Sequence, residues 1–426
     1  MDSSNEKATE QDSLLSTRAE PKTITPQHRH GFRRFISQVA ILMVFYYSML
    51  FFLSLDDDTL EDDFDRHQDP VDVILKSAPM IDTHNDFPMA LRFLYKNDIA
   101  NLTLDTKLPL HVDFPRLEEG KLKGQFWSVY VSCPADSGNY TSDIYLPLVK
   151  QTLEQIDVVH RLIKKFPERL QLALTSKDIW HQFKHAKKSV ISSLLGAEGL
   201  HQIANSPSIL RQYYSLGVRY VTLTHTCHNI YADSCEGEPV HGGLSLAGTA
   251  LIREMNRIGM LVDLSHVSHD TMRHVLAVTK APVIYSHSSA FAICDHPRNV
   301  PDDVLKMVKQ NDGVVQVNFY PGFIKCQEAT NATIETVADH VEYIGKLIGY
   351  KHVGFGADFD GIDMVPKGME DVSKYPDLLK ILLGRGASVE ELKGVVGGNL
   401  LRVMKEAEKV SQSMADVEPL RDEIEL

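Results

Sequence analysis

Residues 80–86 read MIDTHND, residues 260–266 MLVDLSH and residues 282–287 PVIYSH. Each is a short apolar, β-branched run that closes on an ionisable side chain. The runs suit buried strands, and the closing residues are what a strand offers at a functional edge. Working outward, further candidates are 124–132 (GQFWSVYVS), 189–198 (SVISSLLGAE), 218–225 (VRYVTLTH), 313–319 (GVVQVNF) and 352–358 (HVGFGAD), with a weak ninth at 170–174. Helix-period stretches at 145–166, 246–258, 269–280, 301–310 and 334–348 fall between them. Repeated β-then-α order predicts a parallel sheet. Eight main strands predict an α/β fold of the (β/α)8 TIM-barrel type with insertions. A doubly wound open sheet is the alternative, but no G-x-G-x-x-G opens a helix after the first strand.

In a barrel the C-terminal strand ends converge on one mouth. Here those ends are His84 and Asp86, Glu198, His225, His266, His287 and Asp358. Any one of these histidines alone is most simply a satisfied core or surface residue; the full set points to a metal centre. Two positions apart on a strand, His84 and Asp86 face the same way. Imidazole and carboxylate are ordinary zinc ligands. Glu198, flanked by small residues in GAEG, can bridge two cations with its two oxygens, and His266 and His287 can hold the second ion. Mixed nitrogen and oxygen donors without a thiolate favour zinc, with manganese or cobalt as substitutes. Two such ions activate a shared water and polarise the bond under attack, the chemistry of a binuclear hydrolase.

The 426 residues carry 57 Asp+Glu against 44 Lys+Arg, a formal net charge of −13. That balance, with no Lys/Arg stripe, excludes nucleic acid as an expected partner. A 43% hydrophobic and 24% charged composition excludes wholesale disorder and a multi-span membrane protein. The charge is unevenly placed. Residues 1–34, polar and expected to be disordered, are nearly neutral; residues 35–55 (FISQVAILMVFYYSMLFFLSL) carry none; an acidic linker follows at 56–70. The uncharged run is long enough to cross a bilayer, at ~1.5 Å per residue. Arg29, Arg33 and Arg34 precede it, so the positive-inside rule predicts a single-pass type II anchor. The rest of the chain is then lumenal or extracellular. Glu10 to Leu15 reads E-x-x-x-L-L, which leaves the cell surface and an endosomal or vacuolar membrane both open. Candidate glycosylation sites at Asn101, Asn139 and Asn331, and all five cysteines, lie downstream of the anchor.

In order, PMIDTHND, GAEGLHQI, GVRYVTLTH, MLVDLSHVS, PVIYSHSSA, HPRNVPD, VVQVNFYPGFI and VGFGADFDG closely resemble the membrane (renal) dipeptidases, zinc metallopeptidases of the amidohydrolase-type barrel. The resemblance spans about 71–410 and leaves 411–426 as a polar C-terminal tail. It implies two zinc ions: His84 and Asp86 on one, His266 and His287 on the other, Glu198 bridging. It implies that His225 faces the substrate carbonyl, that Arg298 binds the free carboxylate of a dipeptide, and that Asp358 transfers the proton, with Asp360 as the alternative. A metal-held hydroxide would attack the peptide carbonyl. The resemblance also pairs Cys133 with Cys227 and Cys294 with Cys326. Cys235 is left over, free or available to join two chains as a homodimer. Two departures stand out. Animal members are usually held by a C-terminal lipid anchor, whereas this chain ends in VEPLRDEIEL, and Phe323 stands where some relatives have Tyr. Residues 87–123 and 227–243 match least and would shape the pocket rim. The competing readings are a barrel amidohydrolase acting on a cyclic amide, lactone or β-lactam, and a catalytically inactive receptor. Asp86 in place of a second His speaks against the first, and the intact ligand set against the second.

Overall fold

A computed structural model describes residues 68–186 and 190–422, with Met43 alone ahead of them. Nine parallel strands form one sheet: β1 (Met80–Asn85), β2 (Leu122–Val129), β3 (Leu170–Leu172), β4 (Ile191–Glu198), β5 (Val218–Thr222), β6 (Leu261–Asp263), β7 (Ile284–Tyr285), β8 (Val314–Val317) and β9 (Val353–Phe355). The path runs β1-β2-β4-β5-β6-β7-β8-β9. The weak ninth strand, β3, lies off it, pairing Leu170–Leu172 with the first half of β4 while β5 pairs with the second half. Most strand residues are buried, as expected where helices cover a parallel sheet.

The ends of the path meet. Asn85 bridges Phe359, the Asp358 amide donates to the His84 carbonyl (3.1 Å), and the Asp86 amide donates to the Phe359 carbonyl (2.9 Å). Asp82, wholly buried in β1, accepts from the Ala357 amide at 3.0 Å and from the Tyr375 hydroxyl at 2.7 Å. The result is a nearly closed eight-strand α/β barrel.

Helices follow the expected stretches at Ser142–Lys165, Leu246–Ile258, His269–Val278, Asp302–Asn311 and Ile334–Ile348. Side-chain caps start several of them: Ser245 accepts from the Gly248 amide, and Ser268 from that of Thr271. The last helix, Asn399–Ser413, lies against the N-terminal strand ends. Its Leu400, Val403, Met404 and Ala407 pack with Ile81, Phe126, Leu194, Tyr220, Leu261, Ile284 and Val314, closing that end with apolar side chains. The polar segment expected as a tail from residue 411 is docked as far as Asp422. Met414 is buried, the Leu420 amide reaches Glu254, and Asp422 accepts from Ser206 and Ser208.

The ladders are shorter than the expected strands. Pairing stops at Thr222, Asp263, Tyr285 and Phe355, so His225, His266, His287 and Asp358 stand two to three residues beyond the last strand residue. The chain there leaves the ladder to turn side chains inward, and His266 and Asp358 do so at positive φ (66° and 67°). Both disulfides are present, Cys133–Cys227 and Cys294–Cys326, and Cys235 is unpaired. Among the described residues no helix is long and apolar enough to cross a membrane. Apart from Met43, the expected tail 1–34, span 35–55 and first twelve residues of the acidic linker lie outside the described residues.

Candidate metal centre and active site

The mouth of the barrel brings the strand-end residues together. Glu198, the last residue of β4, sets Oε1 at 3.0 Å from His266 Nε2, 3.4 Å from His287 Nε2 and 3.5 Å from His84 Nε2. His84 Nε2 is 3.2 Å from Asp86 Oδ2, and the Nε2 atoms of His266 and His287 approach to 2.9 Å. Three overlapping donor sets result, His84/Asp86/Glu198, Glu198/His266/His287 and His84/His287/Asp358, and Glu198 belongs to the first two. A fourth grouping, Cys133/His201/Cys227, offers no thiolate because its cysteines are bonded to each other.

Several of these donor atoms lack partners. His84 Nε2, Asp86 Oδ1 and His266 Nδ1 are buried without a hydrogen-bond partner, a costly arrangement for polar atoms in a protein interior. Burial, together with Asp86 and Asp358 close by, pushes the Glu198 carboxyl up to about 8 and outweighs the opposing pull of His84 and Arg298. Burial likewise raises Asp358 to about 6. At His84 burial opposes the charge, but Glu198, Asp86 and Asp358 prevail and lift it to about 10. Crowded carboxylates that hold protons so tightly gain from a cation set among them. The donors fit one.

The surrounding cavity measures about 390 Å³, the size of a small ligand site. Arg298 reaches it from the loop after β7, 1% exposed, with its Nη atoms on Ser288 Oγ (3.4 Å) and the His287 carbonyl (3.2 Å). Its guanidinium lies 5.0 Å from the Phe323 ring, and its Nε has no partner. A buried cation with a spare donor at a cavity wall can receive an anion. His225 also lines the cavity; burial drives its pKa down to about 3, so the ring is neutral. Its Nδ1 lies 3.2 Å from the Thr226 hydroxyl.

The two aspartates separate clearly. Asp358 lines the cavity, 3.9 Å from His84 Nε2, and its Oδ2 accepts from Asn318 Nδ2 at 3.0 Å. Asp360 turns away, accepting from the His111 amide at 2.7 Å. Gly361 follows at the cavity wall. A Cβ there would stand 2.2 Å from Asp86 Oδ2 and 2.8 Å from Asp358 Oδ1, so only glycine admits both carboxylates. The strand-end reading missed Tyr130, just past β2 with its ring edge-on to His225 at 5.0 Å, and Asn318, just past β8. Both sit where that reading looks, but neither residue type is ionisable near neutral pH. Met89, on the helix Phe87–Tyr95, and Glu236, in the loop after β5, reach the rim from the two segments expected to shape it, and Tyr320 reaches it from the turn after β8.

A parallel barrel whose mouth gathers imidazoles and carboxylates around shared points defines the class of barrel metallohydrolases. Within it, this chain belongs to the membrane dipeptidase family, peptidase family M19, whose model matches residues 68–418. Dipeptidase aclJ of Aspergillus oryzae (strain ATCC 42149 / RIB 40) is 54% identical over 361 residues, covering 84% of this chain and 85% of that protein. Dipeptidase verJ of Clonostachys rogersoniana is 47% identical over 346 residues, covering 80% and 88%. A solved metallopeptidase from Rhodobacter sphaeroides, liganded with a phosphinate mimic of the dipeptide L-Ala-D-Ala, aligns with a TM-score of 0.67 at 23% identity, over 78% of this chain and 99% of that one. At that identity the likeness is one of fold. The family makes the chain a dipeptidase of metallopeptidase type.

Proposed function

We propose that this chain is a membrane-anchored binuclear zinc dipeptidase. The observation that carries the reading is the sharing of Glu198 by two donor sets beside a buried Arg298 with a free donor. His84 and Asp86 would hold one ion, His266 and His287 the other, and Glu198 both. Bound there, two zinc ions would supply a water acidic enough to attack at neutral pH and a Lewis acid for the scissile carbonyl. Arg298 receives the free carboxylate of the dipeptide and so fixes which amide faces the centre. His225, a neutral ring at the cavity wall, would stabilise the developing oxyanion through a ring N–H. Asp358, oriented by Asn318, takes the proton of the attacking water and returns it to the leaving amine. Its carboxyl, raised toward neutrality, is suited to moving in both directions.

Residues 35–55 would anchor the chain with residues 1–34 in the cytosol and the barrel in a lumen or outside the cell. Two disulfides support an oxidising compartment, and Asn101 and Asn331 are exposed for glycosylation with Asn139 half-exposed. The test is hydrolysis of Ala-Ala by the full-length protein, before and after a chelator and after zinc is returned. Zinc-replete protein without turnover would refute the enzyme reading. Glycosidase-sensitive mobility of membrane-bound protein checks the topology, and a cytosolic barrel would refute it.

A further inference from the structure

Resting on the metal reading above, we propose that two buried hydroxyl relays, one behind each donor set that Glu198 shares, fix the tautomers of His84 and His287 and set the affinity of the centre for its two ions. The first relay runs through Tyr220. Its hydroxyl lies 3.1 Å from the Thr83 carbonyl and 2.9 Å from His84 Nδ1. A carbonyl only accepts, so the phenol donates to Thr83 and accepts from His84. Nδ1 of His84 therefore carries a hydrogen, and Nε2 is the nitrogen left to ligate once an ion displaces the proton held between it and Asp86 and Glu198. The Tyr220 ring is held for this task. It is wholly buried and packs against Gly196, where a Cβ would come within 2.0 Å of the ring.

The second relay uses different chemistry to the same end. Ser286 Oγ is 2.8 Å from His287 Nδ1 and 2.6 Å from Asp263 Oδ2. Asp263 also receives the Thr222 hydroxyl (2.6 Å) and the amides of Ser286 (2.8 Å) and Ser265 (3.1 Å). A carboxylate surrounded by donors accepts from Ser286, so the serine oxygen accepts from His287 Nδ1. His287 Nε2 is left bare, facing His266 and Glu198. The third histidine marks the contrast, since His266 Nδ1 has no partner at all. Each of the two sets that share Glu198 thus contains one histidine oriented from behind. None of Tyr220, Ser286 and Asp263 lines the cavity, so these are positioning residues that do not touch substrate. Outer partners of this kind commonly tune metal affinity by about 10–100-fold.

Full-length wild type, Tyr220→Phe and Ser286→Ala would be titrated with zinc against a competing chelator, counting bound metal by mass spectrometry. Tyr213→Phe serves as control, since its hydroxyl donates to the Gln202 carbonyl (2.7 Å) and touches no ligating residue. The expected result is two ions in wild type and control. Tyr220→Phe and Ser286→Ala should each hold one at a free zinc concentration that fills both sites in wild type, the second binding about 10–100-fold more weakly. The double variant should lose both ions there. Asp263→Asn provides a second probe of the serine relay, expected to act in the same direction even if Ser286→Ala fails to fold. Wild-type affinity for two ions in both single variants would overturn the inference, as would an equal loss in Tyr213→Phe. Wild-type protein that binds no zinc would overturn the metal reading, and this inference with it.

Discussion

The two ends of the barrel are built on opposite principles. At the N-terminal end, Leu400, Val403 and Met404 close against Ile81, Phe126, Leu194 and Val314. At the mouth, three carboxylates and three imidazoles crowd together, several polar atoms lack partners, and His266, Asp358 and Asp360 sit at positive φ. One end supplies stability; the other holds unfavourable groups in place for chemistry. Tyr220 joins the two ends. Its ring belongs to the apolar plug and its hydroxyl reaches His84.

The sharpest way to break this contrast is Glu198→Gln. Losing the shared carboxylate should reduce turnover by about 10³-fold or more and lower bound zinc, the scale of removing a principal electrostatic element from a site. Because burial holds the Glu198 carboxyl near 8, its ionisation opposes folding at neutral pH. Metal-free Glu198→Gln should therefore melt no lower than metal-free wild type, and a clear drop by calorimetry would place stability at the mouth as well. Leu400→Ala is the mirror experiment. A cavity in the plug should cost about 2–5 kcal/mol in denaturant unfolding, while zinc content and turnover per folded molecule stay at wild-type values. Metal loss in folded Leu400→Ala would show that the ends are not separable.

Arg298→Lys probes the mouth more gently. The charge survives but the planar fork does not, so kcat/KM on a free dipeptide should fall about 100-fold. A dipeptide with an amidated C-terminus should be affected far less. Equal losses on both substrates would remove Arg298 from carboxylate recognition.

The same contrast explains what could be read from the sequence. Strands β1, β4 to β7 and β9 were visible because apolar runs end on ionisable residues, and every residue of the proposed metal centre lies in or just past one of them. The disulfide pairs followed only from the family resemblance, since spacing alone leaves five cysteines several pairings. Whether Asp358 or Asp360 faces the cavity depended on a turn with two positive φ values, which two aspartates one residue apart do not announce. The relays were hidden more deeply. In VRYVT, Tyr220 reads as one more buried aromatic, and nothing local says that its hydroxyl meets a histidine 136 positions away. Side chains whose role is set by a distant partner become legible only when the barrel closes.

The smallest effect concerns the wall between the two ends. His340, in the helix Ile334–Ile348, is buried and accepts the Ala290 amide at Nδ1 (3.0 Å) while Nε2 donates to the Ile324 carbonyl (2.9 Å). Those bonds tie together the segments after β7 and β8 that carry Arg298 and Phe323. They also demand a neutral ring, because a protonated Nδ1 would face an N–H donor. Burial accordingly lowers the His340 pKa from the usual 6.5 to about 4. Between those values the unfolded chain binds the proton and the folded protein does not, so stability falls as pH drops below 6.5 and levels off below about 4. From pH 6.5 to 5 this one group should remove about 2 kcal/mol, at 1.36 kcal/mol per unit. His340→Gln should be less stable at pH 7 yet lose less on acidification, as read from urea midpoints at both pH values. Parallel pH slopes for variant and wild type would show that other groups, such as the similarly lowered His201, carry the acid sensitivity instead.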